Sequence, residues 1–335
     1  MKRAIGVLAG ATAVGVAVAG VRHARRSFEG VPGELRSPLL LVPFRVDERV
    51  LGVARAAITR PTPPVAGTTV RELLPGPDGP PVRLLVIEPE GRDRPGPAVF
   101  FIHGGGLVMG APDGSVDVLS RLARDSGTAV VATSYRLAPE HPFPAAIDDC
   151  AASLAWVHGH AADLGIDPGR IAVGGASAGG GLAASLCQRA RDEGGPPVPF
   201  QLLVYPMLDD RTVLHPPPGR FAVWTPRSNR FGWTSYLGHA PGSDPLPPYA
   251  AAARCADLSG LPPAWIGVGD RDLFQDEDVT YARRLEDAGV EVELVVVPGM
   301  YHGADAIAAA SDISARFIGS MADALREALA EPVPA

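Results

Sequence analysis

The sequence has few of the residues that build metal centres, disulfide frameworks and phosphate-binding loops. Its 335 residues include only three cysteines, Cys150, Cys187 and Cys255, with no C-x-x-C pair, which excludes a zinc ribbon or a disulfide-stapled domain. Neither H-E-x-x-H nor G-x-x-x-x-G-K-[ST] occurs, and we expect no metal and no cofactor. Lysine and arginine number 30 against 37 acidic residues, a net charge of −7, so a nucleic acid is not an expected partner.

An uncharged apolar stretch lies at the N-terminus. Residues 4–21 are rich in Ala, Gly and Val and are followed by the basic cluster Arg22-His23-Ala24-Arg25-Arg26. The pattern fits a cleaved signal peptide, a short membrane span or a small-residue helix packed on the protein. The basic cluster is more typical of a stop-transfer flank. Membrane association through residues 1–26 is therefore favoured over a cytoplasmic or an exported protein.

The most informative motif is Gly175-Ala176-Ser177-Ala178-Gly179. It follows an apolar run at 170–174 and precedes a small-residue helical pattern that reaches Arg191. A serine on such a sharp strand-to-helix turn has its hydroxyl lifted clear of the sheet, and flanking glycines avoid clashes between a Cβ and the neighbouring backbone. A glycine-rich turn without chemistry is the plain alternative. The identification of Ser177 as a nucleophile therefore depends on partners elsewhere in the chain.

A second glycine-rich motif supplies hydrogen-bond donors. The apolar run at 97–102 leads directly into His103-Gly104-Gly105-Gly106. Consecutive glycines leave backbone N–H groups unobstructed, so that they can converge on an oxyanion, and the N–H of the residue after the nucleophile completes such a hole. We predict Gly104, Gly105 and Ala178 as the donors.

One of the eight histidines has the placement that a general base needs. His302 follows the apolar run at 292–297 and the turn Pro298-Gly299. Open α/β sheets place their sites at the C-terminal ends of strands, where this loop is expected. His302 is therefore the predicted base.

A carboxylate is needed to hold the imidazole tautomer. Asp270 and Asp272 both follow the apolar run at 264–268, and their spacing does not separate them. The next acids, Asp276 to Asp278, are expected to serve the first turn of the following helix, where negative charge is favourable. The order Ser, Asp, His is that of an α/β-hydrolase sheet.

Together these motifs resemble the hormone-sensitive-lipase group of α/β-hydrolases, which includes bacterial acetyl-esterase-like and carboxylesterase proteins. The resemblance spans about 200 residues and also rests on YRLAPEHPFPAA at 135–146, LVYP at 203–206 and GMYHG at 299–303. In that family the acid lies in an Asp-x-[Leu/Phe]-x-Asp-Glu pattern, which residues 272–277 fit. The resemblance thus implies a triad of Ser177, His302 and Asp272.

One position departs from the family. Its members usually carry Asp or Glu just before the nucleophile, where this chain has Ala176. That side chain is not a triad member, so turnover is expected to survive, with the pH profile and loop order as the affected properties. A related group of hormone receptors lacks the catalytic histidine, and the presence of His302 argues against a purely binding role.

The rest of the pattern alternates strands and helices, which predicts a mostly parallel sheet with helices on both faces. With the resemblance, this implies an α/β-hydrolase fold with an eight-stranded sheet and a helical cap or lid. Strands are predicted at 69–74, 82–88, 99–102, 129–134, 171–173, 201–205, 265–268 and 292–297, and helices at 116–125, 144–158, 178–191, 276–288 and 305–328. The predicted organisation is an apolar segment at 1–26, the N-terminal part of the cap at 27–60, the hydrolase core at 61–207 and 261–331, and a lid insertion at 208–260.

The resemblance implies a serine hydrolase that cleaves small-molecule carboxylic esters, with short- to medium-chain acyl groups, through an acyl-enzyme. Two alternatives stay open. The same triad could act on an amide, carbamate or lactone, or the protein could be a non-catalytic binder of a small ligand. Whether it forms a homodimer is also left open by the sequence.

Overall fold

The computed structural model describes residues 28–41, 45–76, 79–80, 82–219 and 221–330. The apolar segment at 1–26, with its predicted membrane association, lies outside them. Within the described ranges, no helix combines the length and the apolar content that a bilayer crossing requires.

Eight strands in the described part of the chain form one sheet. They are β1 Thr68–Leu73, β2 Leu84–Pro89, β3 Gly96–Ile102, β4 Ala129–Thr133, β5 Ile166–Ala176, β6 Gln201–Val204, β7 Ala264–Gly269 and β8 Val292–Val297. Their order across the sheet is β1-β2-β4-β3-β5-β6-β7-β8. Strand β2 is antiparallel to β1 and β4, and the other neighbours are parallel. The predicted mostly parallel, eight-stranded sheet is confirmed.

The central strands are buried on both faces, because side chains alternate along a strand and helices cover each side. In β3, Phe100 and Ile102 belong to one hydrophobic core. Val99 and Phe101 belong to a second core on the opposite face. All four side chains are at most 4% exposed, so the whole apolar run is needed to fill two layers.

The helices lie between the strands and within the predicted cap and lid. They are α1 Leu51–Ile58, α2 Val116–Ser126, α3 Ala145–Gly159, α4 Ala161–Leu164, α5 Ala178–Glu193, α6 Pro226–Leu237, α7 Gln275–Asp287, α8 Ala304–Ile307 and α9 Asp312–Ala328. Short 3-10 turns occupy Gly33–Leu35, Pro38–Leu41, Pro112–Ser115, Asp210–Val213 and Ala252–Arg254.

One predicted helix differs from the structure. The continuous helix at 305–328 is wrong, because α8 ends at Ile307 and a new helix starts at Asp312. The Ser311 hydroxyl accepts a hydrogen bond from the Ser314 N–H at 3.1 Å, and such an N-cap starts a helix rather than continuing one. In the segment 27–60, the described residues form 3-10 turns and the single eight-residue helix α1.

The segment before the core is joined to the lid insertion. The Val46 N–H donates to the Ser228 hydroxyl at 3.0 Å, and Asp47 lies 3.6 Å from the Arg227 guanidinium. Both partners are in α6, a helix that the sequence patterns do not predict. Thr225 caps this helix by accepting from the Ser228 N–H.

Candidate active site

Ser177 lies on the sharp turn between β5 and α5. Its φ and ψ of 57° and −120° are unusual for a non-glycine residue. The turn is possible because glycines flank it: a Cβ on Gly175 would come within 2.2 Å of the Gly179 carbonyl oxygen, and one on Gly179 within 2.0 Å of the Ile102 oxygen. The backbone N–H of Ser177 donates to the Val204 carbonyl at 2.9 Å, which fixes the turn to the neighbouring strand.

Three predicted side chains form one chain of hydrogen bonds. The Ser177 Oγ lies 2.9 Å from Nε2 of His302, and the His302 Nδ1 lies 2.7 Å from an Asp272 carboxylate oxygen. Ser177 and His302 are 6% exposed and Asp272 is 3% exposed. Because the carboxylate accepts from Nδ1–H, the ring tautomer leaves Nε2 free to accept the serine proton.

The structure also separates Asp272 from Asp270. Asp270 accepts a hydrogen bond from the Gly299 N–H at 2.6 Å, and its side chain is 41% exposed. Asp272 instead turns inward, and its second oxygen accepts from the Phe274 N–H at 3.0 Å. Of the two acids that the spacing left open, only Asp272 touches the imidazole.

The predicted oxyanion donors surround the serine. Gly104 packs on the nucleophile turn so closely that a Cβ there would lie 3.2 Å from the Ser177 Cβ. Gly105 has a φ of 125°, and a Cβ on it would come within 2.0 Å of the Met109 carbonyl oxygen. No acceptor among the described residues takes the backbone N–H of Gly104, Gly105 or Ala178. Three donors beside the serine are therefore available to a substrate oxygen.

His103 shapes this glycine loop. Its ring stacks on Tyr135 with centroids 4.3 Å apart, and its Nδ1 lies 2.8 Å from the Gly104 carbonyl oxygen. The Tyr135 hydroxyl donates to the His103 carbonyl at 3.1 Å. Complete burial lowers the pKa of His103 to about 4, so this histidine is neutral at pH 7 and unsuited to the role of a second base.

The lid contacts the loop from the other side. Trp224 lies against Gly106, where a Cβ would meet the indole ring at 2.0 Å. Its indole N–H donates to the Asn229 side chain at 3.2 Å. A small cavity next to Ala178 is lined by Trp233 and Tyr236 of α6. Trp224 thus packs on the glycine loop, whereas Trp233 and Tyr236 line the small cavity next to Ala178.

Sequence reasoning missed Glu277. It lies in the first turn of α7 as predicted, but it is only 8% exposed and does more than favour the helix N-terminus. Its carboxyl group accepts from the Leu208 N–H at 2.7 Å and the Asp209 N–H at 3.2 Å, and from the Thr212 hydroxyl. Burial raises its pKa to about 8 despite these donors. Glu277 therefore ties the start of the lid insertion to the helix that follows Asp272.

Its neighbour Asp278, also in the first turn of α7, is buried as well. It is fully inaccessible, and neither carboxyl oxygen has a hydrogen-bond partner among the described residues. Burial and the nearby Glu277 and Asp272 raise its pKa well above the usual range. The only signal in the sequence was the unusual run of three acids.

The described residues contain neither a cluster of metal-ligand side chains nor a disulfide. No cluster of three or more potential ligand side chains is found in the described parts of the chain. Cys150, Cys187 and Cys255 are free thiols. Burial raises the pKa of Cys187 to about 12, which makes it a small apolar residue rather than a nucleophile.

Comparison with known proteins identifies the family. Residues 99–306 match the family described as alpha/beta hydrolase fold. The chain belongs to the hormone-sensitive-lipase group of α/β-hydrolases. It is a carboxylesterase-like hydrolase, similar to several characterised members of that group.

Two curated relatives and one solved structure illustrate the similarity of this α/β-hydrolase. Carboxylesterase NlhH of Mycobacterium tuberculosis is 43% identical over 240 residues, 70% of this chain and 74% of the relative. Esterase LipI of the same organism is 36% identical over 294 residues, 79% and 87% of the two chains. A solved structure of a bacterial heroin esterase is 39% identical, with a TM-score of 0.82 over 91% of this chain and 100% of that one.

Proposed function

We propose that this α/β-hydrolase cleaves carboxylic esters of short- to medium-chain acids through Ser177, His302 and Asp272. The observation that carries the proposal is the unbroken hydrogen-bond chain from the serine hydroxyl through both imidazole nitrogens to a buried carboxylate. Such a chain activates a hydroxyl that is otherwise a weak nucleophile at neutral pH.

The acylation step follows from this geometry. Ser177 Oγ attacks the ester carbonyl carbon while its proton passes to Nε2 of His302, which Asp272 holds in the required tautomer. The N–H groups of Gly104, Gly105 and Ala178 bind the carbonyl oxygen as it becomes an oxyanion. The resulting imidazolium gives its proton to the leaving alkoxide, and the alcohol departs from an acyl-serine.

Deacylation repeats these steps with water. A water oxygen attacks the acyl-serine carbonyl carbon while Nε2 of His302 takes a proton from that water. His302 then gives this proton to Ser177 Oγ as the bond between Oγ and the acyl carbon breaks and the acid leaves. One ester and one water thus give one acid and one alcohol. Each preorganised oxyanion donor is worth about 3 kcal/mol of barrier in such reactions.

The lid supports the limit on acyl size. The cavity beside Ala178 is small and ends on the large aromatic side chains of Trp233 and Tyr236, which are 2% and 1% exposed. The cavity holds about 10 Å³, room for about one water molecule, so a long acyl chain on this side of the serine would have to displace the packed aromatic rings.

A p-nitrophenyl ester series from acetate to palmitate tests this proposal. We expect kcat/KM to be highest for the short and medium esters and to fall sharply for the long ones. Ser177→Ala should reduce kcat by at least about 10⁴-fold with an unchanged unfolding midpoint. Ser259→Ala, at an exposed serine, is the matched control and should retain full activity. Unchanged turnover in Ser177→Ala would remove Ser177 from the nucleophile role.

A further inference from the structure

A second buried carboxyl group interacts electrostatically with His302. Asp305 stands three residues after His302, in the first turn of α8, and is 2% exposed. The Tyr205 hydroxyl donates to its Oδ1 at 2.9 Å. The mechanism described so far assigns no role to either residue.

Tyr205 connects this carboxyl group to the imidazole. Its ring meets the His302 ring edge to face, with centroids 4.8 Å apart. Tyr205 has a φ of 35°, a left-handed conformation that non-glycine residues seldom adopt. Its N–H donates to the Gly267 carbonyl at 2.6 Å, while its ring contacts His302 and its hydroxyl contacts Asp305.

The acids around His302 differ in charge, because burial raises the pKa of Glu277 to about 8 and that of Asp278 well above its usual range, and both are therefore protonated at pH 7. Asp272 approaches from the loop after β7, Asp305 from α8, and Asp278 and Glu277 of α7 lie behind Asp272. The Tyr205 hydroxyl comes from the end of β6, the Ser177 hydroxyl from the start of α5, and the uncharged Phe274 ring lies 5.3 Å from the imidazole.

No arginine among the described residues forms an ion pair with any of these four acids. The group that can supply a positive charge within this acidic pocket is therefore the His302 imidazole itself. Burial raises the pKa of Asp305, while the Tyr205 hydrogen bond and the attraction of His302 act in the opposite direction.

We propose that Asp305 is a second carboxylate for His302: held by the Tyr205 hydroxyl, it stabilises the imidazolium that forms when Ser177 gives up its proton. Asp305 is thus a positioning and electrostatic residue that acts on His302 without touching the substrate. This inference rests on the proposed triad.

Asp305→Asn tests the proposal because asparagine keeps the shape and the acceptor for Tyr205 but removes the charge. We expect the acid limb of the kcat/KM profile to move to lower pH by about one unit, since a nearby opposite charge favours the charged imidazole. The plateau kcat should fall about tenfold, the rate equivalent of that shift. Asp323→Asn, which removes an equal charge at an exposed position, should change neither quantity.

Tyr205→Phe provides a second route to the same result. It keeps the ring against His302 but removes one hydrogen bond that lowers the pKa of Asp305, so the carboxylate is less stable and the acid limb should again move to lower pH. The double variant should show no shift beyond that of Asp305→Asn, because Tyr205 then has no carboxylate to stabilise.

A titration that does not depend on activity separates the two proposals. In Ser177→Ala, the ¹⁵N resonances of His302, assigned by comparison with a His302→Gln protein, should titrate at lower pH once Asp305→Asn is added. An unmoved acid limb and unmoved His302 titration in a cooperatively folded Asp305→Asn would overturn the role of Asp305 alone. Full ester turnover in Ser177→Ala would instead overturn the triad.

Discussion

The variants Asp272→Asn and Asp270→Asn form a matched pair, of which only the first is expected to lose activity. At position 272 the new amide can donate to Nδ1 of His302, which lies 2.7 Å from the present carboxylate. The ring then carries its proton on Nε2 and cannot accept the proton of Ser177. We expect kcat to fall by about 10⁴-fold, as for an acid that sets the base's tautomer, which corresponds to about 5 kcal/mol of barrier.

At position 270 the same substitution leaves the local structure intact. Asp270 accepts the Gly299 N–H, a bond that an asparagine oxygen can also accept, and its exposed ion pair with Arg271 at 3.9 Å contributes little. Since the side chain is 41% exposed, we expect a change of no more than about twofold. The assay is p-nitrophenyl acetate hydrolysis at the pH optimum, with circular dichroism to verify the fold. An equal or larger loss in Asp270→Asn would refute the assignment of Asp272.

Three further substitutions test the oxyanion loop, the buried acid and the acyl cavity. Gly105→Ala brings a Cβ to within 2.0 Å of the Met109 carbonyl oxygen at a φ of 125°. The loop must move and displace an oxyanion donor, so kcat should fall about 10² to 10³-fold. An unchanged kcat would contradict this role. Burial raises the pKa of Glu277 to about 8 from an ordinary value near 4.5. Between pH 4.5 and pH 8 the folded state therefore keeps a proton that the unfolded state has lost, and the free energy of unfolding falls as the pH rises. Glu277→Gln fixes the neutral form and should therefore raise the unfolding midpoint over wild type more at pH 8 than at pH 5, whereas equal differences would argue against the raised pKa. Trp233→Ala opens the cavity and should move the preferred p-nitrophenyl ester to a longer chain, and an unaltered preference would exclude that wall.

The sequence predicts well the features that neighbouring residues determine. A short Val- and Ala-rich run such as β4 must be buried on both faces, so its position is readable locally. The nucleophile turn is equally local, because Gly175 and Gly179 are needed within a few residues of Ser177 to clear the backbone. The same reasoning places His302 at a strand end, where the structure has it.

Features that depend on distant contacts were missed. Glu277 occupies an ordinary position for a helix-start acid, and only its contact with Leu208, 69 residues away along the chain, makes it a buried tie to the lid. Asp305 meets Tyr205 across 100 residues, a pairing that no local pattern encodes. Helix α6 has mostly polar and aromatic residues without a clear apolar stripe, and it packs on the glycine loop, where a Cβ on Gly232 would come within 2.7 Å of the Gly106 carbonyl oxygen.

The central claim, that Ser177 is a nucleophile activated by His302, is tested most directly by a fluorophosphonate probe with peptide mapping by mass spectrometry. The probe forms a stable covalent bond only with an activated hydroxyl. We predict one adduct per chain on Ser177, no adduct in Ser177→Ala, and labelling slowed by orders of magnitude in His302→Gln. An adduct on a different serine, or one that persists in Ser177→Ala, would contradict the account.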